Sequence, residues 1–245
     1  MRIAKINEFD HINYPGKLAA VVLSSGCNYR CPACHSPDLL KSDSEIRKED
    51  FFKYLDQNKK WIDGVVLCGG EPTMQHSLPY FAEELKKRNL SVKLDTNGSD
   101  FRVLGRLLEE KLIDYVAMDV KGPFKLYRDL TGIDSIDRRD DLEKSIAIVA
   151  NFPDYEYRTT VVPVIRYGKG KDISFMTPEE IGETAKRIYD CTGITDHKYF
   201  LQKFVPAKTG LLDKRLESFP ETPKGLMDLM LIEARKYLPR TELRY

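Results

Sequence analysis

The chain has 245 residues, 42% of them hydrophobic and 31% charged, which suits a soluble globular protein with a sizeable core and excludes a disordered or fibrous one. With 39 Lys and Arg against 38 Asp and Glu, the net charge of +1 gives no global field that would gather nucleic acid or an anionic membrane. No run of 18 uncharged apolar residues occurs, and the opening segment MRIAKINEFDHINYPGK is charged throughout, without the apolar core of a signal peptide, so a cytoplasmic protein is expected.

Residues 17–25, KLAAVVLSS, read as a strand and lead into a loop, GCNYRCPACH (26–35), that packs three cysteines and a histidine together. RKEDFFKYLDQN (47–58) then spaces Phe51, Phe52 and Leu55 as a helix does. The unit repeats: DGVVLC (63–68) with a helix over about 76–88, SVKLD (91–95) with one over about 101–110, and IDYVAMDV (113–120) with one over about 140–150. YEYRTTVVPV (155–164) follows, with a helix opening at TPEEI (177–181), then HKYFLQKF (197–204) with a last helix near KGLMDLMLIEARKYL (224–238).

Six β/α units in series predict an α/β fold with parallel strands, outer helices and right-handed crossovers. We expect one domain over 1–245, with its core at about 17–205 and a helical extension at about 206–245. A partial barrel and a doubly wound open sheet both fit the length, and the loops favour the barrel, whose function gathers after the carboxyl ends of strands. The cysteines, Gly69-Gly70-Glu71-Pro72, Asp95-Thr96-Asn97-Gly98, and the pair Asp119 and Lys121 occupy four consecutive strand ends.

Five cysteines, three of them clustered, argue against a secreted disulfide framework and for a reducing compartment in which thiolates serve as ligands. Structural zinc is disfavoured, because no second Cys or His pair stands at knuckle spacing and adjacent Cys34 and His35 would diverge on an extended loop. Cys31-Pro32-Ala33-Cys34-His35 matches a haem attachment pattern, but that reading leaves Cys27 without a role and lacks an export signal. Three thiolates suit a four-iron four-sulfur (4Fe-4S) cluster with one iron left open, able to take a small molecule through an amine and a carboxylate.

Cys27-x3-Cys31-x2-Cys34 after one strand and Gly69-Gly70-Glu71-Pro72 after the next resemble the radical S-adenosylmethionine (radical SAM) superfamily. More narrowly, INYPGKLAAVVLSSGCNYRCPACHSPDL with LDTNG, MDVKGP, TVVP and FMTPEEI downstream is similar to activating enzymes of glycyl radical proteins. The likeness is to activators of the anaerobic ribonucleoside-triphosphate reductase, in a form also similar to activators of pyruvate formate-lyase; it is thinnest after about residue 205.

The resemblance implies a partial (β/α)6 TIM-like barrel of the radical SAM type and an oxidoreductase working without oxygen. Such an enzyme passes one electron from the cluster to S-adenosylmethionine, and the resulting 5′-deoxyadenosyl radical abstracts a hydrogen atom from a glycine of a partner protein. It implies Cys27, Cys31 and Cys34 as cluster ligands, the Gly69 and Gly70 backbone near the methionine amino group, and Asp119 and Lys121 at the cofactor's polar ends, with Lys121 counted among the catalytic residues. Glu71, Thr96 and His35 join the expected cofactor contacts, and a monovalent cation, Na+ or K+, is implied among Asp95, Thr96, Met118 and Asp119. Where family members often carry an aromatic before the third cysteine, this chain has Ala33, which turns attention to Tyr29 for the adenine; Gln202 stands where pyruvate formate-lyase activators place a ribose-side histidine. The expected partners are a glycyl radical enzyme and an electron donor such as flavodoxin or ferredoxin.

Each motif also has a plain structural reading: Gly-Gly and Asn-Gly form turns, Asp95 and Thr96 can cap a helix, and Asp119 with Lys121 can be an ion pair. Cys68 and Cys191 read as buried small side chains rather than ligands, and RYGKGK (166–171) as a solvated loop or a partner contact. Two other functions compete with the activase: a small-molecule radical enzyme similar to 7-carboxy-7-deazaguanine synthase, and a non-enzymatic metal-binding module.

Overall fold

The computed structural model describes residues 1–41, 46–133, 138–166, 172–206 and 210–245. Six β/α units run in the expected order: β2 (Ala19–Ser24) with α1 (Lys48–Gln57), β3 (Gly64–Gly69) with α2 (Leu78–Lys86), and β4 (Ser91–Thr96) with α3 (Phe101–Glu109). β5 (Tyr115–Asp119) follows with α4 (Tyr127–Thr131) and α5 (Arg139–Val149), then β6 (Asp154–Val161) with α6 (Pro178–Thr192), and β9 (Tyr199–Lys203) with α7 (Lys224–Arg235). Three further features were not expected: β1 (Ile3–Asp10), the hairpin of β7 (Pro163–Ile165) with β8 (Ile173–Phe175), and β10 (Thr241–Arg244).

The main sheet has the order β1-β2-β3-β4-β5-β6-β9-β10. This order never reverses, so right-handed crossovers carry every helix to the same face, and the sheet curls into a partial barrel rather than winding both ways. β1 pairs antiparallel with β2, and all other neighbours in this sheet are parallel. The stretch after residue 205 is more than a helical extension, because β10 joins the sheet beside β9 in parallel register.

Alternation along the strands separates two environments. Outward residues such as Val65, Leu67, Val92, Leu94 and Tyr157 pack against Phe51, Phe81, Leu104, Ile146 and Ile181 of the helices in one large core. Inward residues Ala19, Val21, Val66 and Ala117 form a small apolar wall in the lumen, and Tyr14 meets Tyr115 edge-on at 6.1 Å at its base. Other inward positions of β4, β5 and β6 are charged: Lys93, Asp95, Asp119, Glu156 and Arg158. Among the described residues, no helix is long and apolar enough to cross a membrane.

Local chemistry sets the helix ends. Asp100 accepts from the Arg102 and Val103 amides to start α3, and α6 opens on a capping box in which Thr177 Oγ1 accepts from Glu180 N at 3.3 Å while Glu180 Oε2 accepts from Thr177 N at 2.9 Å. Arg166 adds a two-pronged ion pair to Glu180 at 3.0 and 2.9 Å, whereas the rest of the RYGKGK stretch lies outside the described residues. Thr177→Ala, which removes one half of the box, is expected to lower stability by about 1 kcal/mol in urea unfolding monitored by far-UV circular dichroism.

Candidate functional site

The loops after β2, β3, β4 and β5 converge, as their strand ends require, around a cavity of about 380 Å3. Cys27, Cys31 and Cys34 line it together with Gly69, Gly70, Asp119 and Lys121. Thus the four separate stretches picked out in the sequence share one mouth.

The glycines make this convergence possible. Gly69 has a φ of +111°, and a Cβ on it would fall 2.3 Å from Ser24 N; a Cβ on Gly70 would fall 1.9 Å from Gly26 O. In that space Gly70 N donates to Ser24 O at 2.9 Å and Glu71 N to Gly26 O at 2.8 Å, which fixes the start of the cysteine loop against the end of β3. Beside the ligand approach that the motif implies, these glycines thus serve the close approach of two backbones.

Glu71 was expected to contact a cofactor, but its carboxylate is already taken. It is 1% exposed and accepts four hydrogen bonds: Oε1 from Thr73 N at 3.1 Å and from Thr73 and Thr96 Oγ1 at 2.7 Å each, Oε2 from Asn97 N at 2.7 Å. Burial pushes its pKa up against the pull of these donors. Glu71 therefore ties the β3 loop to the β4 loop, and Asn97 extends the tie by donating to Asn28 Oδ1 at 2.9 Å beside Cys27.

The three thiols of the cysteine loop line this one cavity, and among the described residues no group of three His, Cys, Asp or Glu side chains is placed to hold a single metal ion. Three thiol donors on one loop match in number the protein ligands of a 4Fe-4S cluster with one iron left open, whereas a closed structural zinc takes four ligands. Tyr29 N donates to Cys27 Sγ at 3.4 Å, the kind of amide-to-sulfur contact that tunes a cluster. Burial raises the Cys27 pKa and pushes that of Cys31 to about 11, partly countered by Lys121. Loading such a site displaces protons from the thiols.

A brace not foreseen from sequence lies on this loop. Asp213 N donates to Pro32 O at 2.9 Å and Leu212 N to Cys34 O at 3.3 Å, while Phe204, Leu211, Leu216 and Ile165 form an apolar cluster against Ala33. His35 meets Phe204 edge-on at 5.9 Å. Tyr29, 5% exposed, is among the residues that line the cavity.

The charged side of the site turns on Arg158, which sequence reading missed. Its Nε donates to Asp119 Oδ1 at 3.0 Å and its Nη1 to Asp95 Oδ2 at 3.1 Å, and Lys121 Nζ donates to the other Asp119 oxygen at 2.9 Å. Lys93 completes the group by pairing with Asp95. Burial alone would raise the Asp119 pKa, yet Arg158 and Lys121 hold it well below the usual carboxylate range. Of the four residues expected around a monovalent cation, Asp95 and Asp119 are bridged by the Arg158 guanidinium, Thr96 donates to Glu71, and Met118 turns outward into the core, its methyl group against Gly98. Gln202 shares the inward face with its register partner Thr160, but Thr160 lines the cavity and Gln202 does not. Cys68, on the inner wall, also lines it, with burial pushing its pKa to about 12; Cys191 lies elsewhere, against the main core.

Comparison with known proteins now has a geometry to explain. The sequence profile of the Radical SAM superfamily matches residues 21–171. The chain belongs to that superfamily. A protein of Methanocaldococcus jannaschii described as "Putative glycyl-radical enzyme activating enzyme" is 30% identical over 247 residues, covering 99% of this chain and 95% of that protein. The pyruvate formate-lyase-activating enzyme of Streptococcus mutans is 35% identical over 126 residues, 46% of this chain and 48% of that one. Among solved structures, Streptococcus suis SuiB bound to S-adenosylmethionine matches over 92% of this chain with a TM-score of 0.63 at 18% identity, which shows a shared fold; the chain spans 49% of SuiB. This radical SAM enzyme is therefore an oxidoreductase of the group that resembles glycyl radical activases.

In Glu71→Gln, either orientation of the introduced amide would turn its NH2 toward a backbone N–H, that of Thr73 or that of Asn97, so a flip brings no relief. We expect the substitution to cost roughly 1–3 kcal/mol in chemical unfolding of the unloaded protein, with reduced iron retention after reconstitution.

Proposed function

We propose that this radical SAM enzyme activates a glycyl radical enzyme, taking a hydrogen atom from a glycine of that partner, and that the partner is an anaerobic ribonucleoside-triphosphate reductase. The observation that carries the reading is the likeness to a glycyl-radical enzyme activating enzyme along nearly the whole of both chains, which leaves no large segment of either to a different task. The choice of partner is supported by the sequence resemblance to reductase activators in the cysteine-loop region and the motifs downstream of it.

When bound, a 4Fe-4S cluster and S-adenosylmethionine would supply one electron and a reactive carbon centre able to accept the glycine's hydrogen. The chain's own residues would do the rest. Cys27, Cys31 and Cys34 would hold the cluster from one wall, and the loop they stand on is held by Gly26, Gly70 and the 211–216 brace. Asp119, kept ionised by Arg158 and Lys121, and Lys121, kept ionised by Asp119, would present fixed charges to the cofactor's amino and carboxylate groups. Tyr29 and Ala33 would border its adenine, and His35 and Thr96 the edges of the same cavity. An electron donor such as flavodoxin or ferredoxin would reduce the cluster.

The test is isotope transfer. With a partner reductase carrying α-deuterated glycine, the reduced, cluster-loaded enzyme is expected to place deuterium in 5′-deoxyadenosine, and Cys31→Ala to abolish it. Unlabelled 5′-deoxyadenosine produced at an undiminished rate would count against a glycine as the hydrogen source.

A further inference from the structure

Below Arg158 the lumen holds another carboxylate, that of Glu156, two residues back on β6 and 2% exposed. Its partners come from several strands. Tyr115 Oη donates to Oε2 at 2.7 Å, and Arg244 on β10 donates from Nη1 to Oε1 and from Nη2 to Oε2, both at 3.0 Å. Arg244 reaches Glu156 by lying across Phe200 of β9, its Cζ 3.7 Å from the ring centroid.

Arg158 therefore faces three carboxylates. Asp119 and Asp95 hold it at 3.0 and 3.1 Å, while Glu156 Oε1 stands 3.8 Å from the same Nη1 that serves Asp95. Glu156 competes for that nitrogen, and the two-pronged pair with Arg244 weakens the competition by neutralising it. We propose that Arg244 is a positioning residue for the S-adenosylmethionine site: it neutralises Glu156, so that Arg158 stays on Asp95 and Asp119 and Lys121 keeps its place.

The physical basis is that Glu156 is buried although Arg244 is partly exposed, so that removing Arg244 alone leaves a buried carboxylate short of its cation, whereas removing both partners does not. Without Arg244 the buried Glu156 draws Arg158 downward, away from Asp95, and Asp119 loses its second cation. The effect crosses the lumen from β10 to the mouth through Arg244, Glu156, Arg158 and Asp119, each in direct contact with the next or within 4 Å of it.

This inference rests on the reading of the cavity as the S-adenosylmethionine site, and four proteins separate the two. S-adenosylmethionine affinity is measured by equilibrium dialysis on the cluster-loaded protein, and thermal unfolding on the unloaded one. Arg244→Gln is expected to weaken binding about tenfold and to lower the midpoint of unfolding. Arg244→Lys, which keeps the charge, stays within about threefold, and Arg244→Gln combined with Glu156→Gln returns both readouts close to the parent values. A purely structural latch on β10 would leave the double variant as weak as Arg244→Gln, and that result would overturn the proposal, as would unchanged affinity in Arg244→Gln. No binding by the parent protein would overturn the reading of the cavity, and this inference with it.

Discussion

Arg158 is the constraint on which the site depends. One guanidinium joins β4, β5 and β6 by donating to Asp95 and Asp119, and it does so inside a lumen where an unpaired carboxylate would be expensive. Its Nε and Nη1 hydrogen-bond to two different strands, which a lysine's single nitrogen would do less rigidly. Lys121 can then stand at 2.9 Å from Asp119 without drawing it out of register, so the charges at the mouth are set before any ligand arrives.

The opposite side of the mouth is held by backbone rather than charge. Gly69 and Gly70 let β3 lie directly against the start of the cysteine loop, Glu71 fastens the next loop through Thr96 and Asn97, and the 211–216 brace covers the loop from outside. A flexible cysteine loop would pay the entropy of ordering on every loading event; here much of that ordering is already done by hydrogen bonds that involve no ligand. The barrel thus divides its work, with β2 and β3 presenting thiols on a rigid loop and β4, β5 and β6 presenting fixed charges.

Much of this was legible in the sequence. The six β/α units show as alternating periods of hydrophobicity, and the four functional stretches sit at strand ends because parallel strands direct them to one mouth. β1 escaped because IAKINEFD is charged along its exposed face, and β10 because TELR is too short to show a period. Arg158 escaped for a different reason: in YEYRTT the alternating Glu156 and Arg158 look like a solvent-facing side, and only closure of the sheet turns that side inward. Glu71 lines the cavity and also ties two of the protein's own loops together, a second task that its motif does not announce, and Asp95 and Asp119 are bridged by Arg158, whose place in the lumen no local motif encodes.

Glycyl radical formation is read most directly from an anaerobic electron paramagnetic resonance spectrum of the reduced, reconstituted enzyme mixed with S-adenosylmethionine and an anaerobic ribonucleoside-triphosphate reductase. An activase gives a protein-based glycyl doublet that collapses toward a singlet when the partner's glycine carries deuterium. A spectrum in which S-adenosylmethionine perturbs the reduced cluster, yet no doublet forms with the reductase or with any other glycyl radical enzyme, would contradict the activase reading.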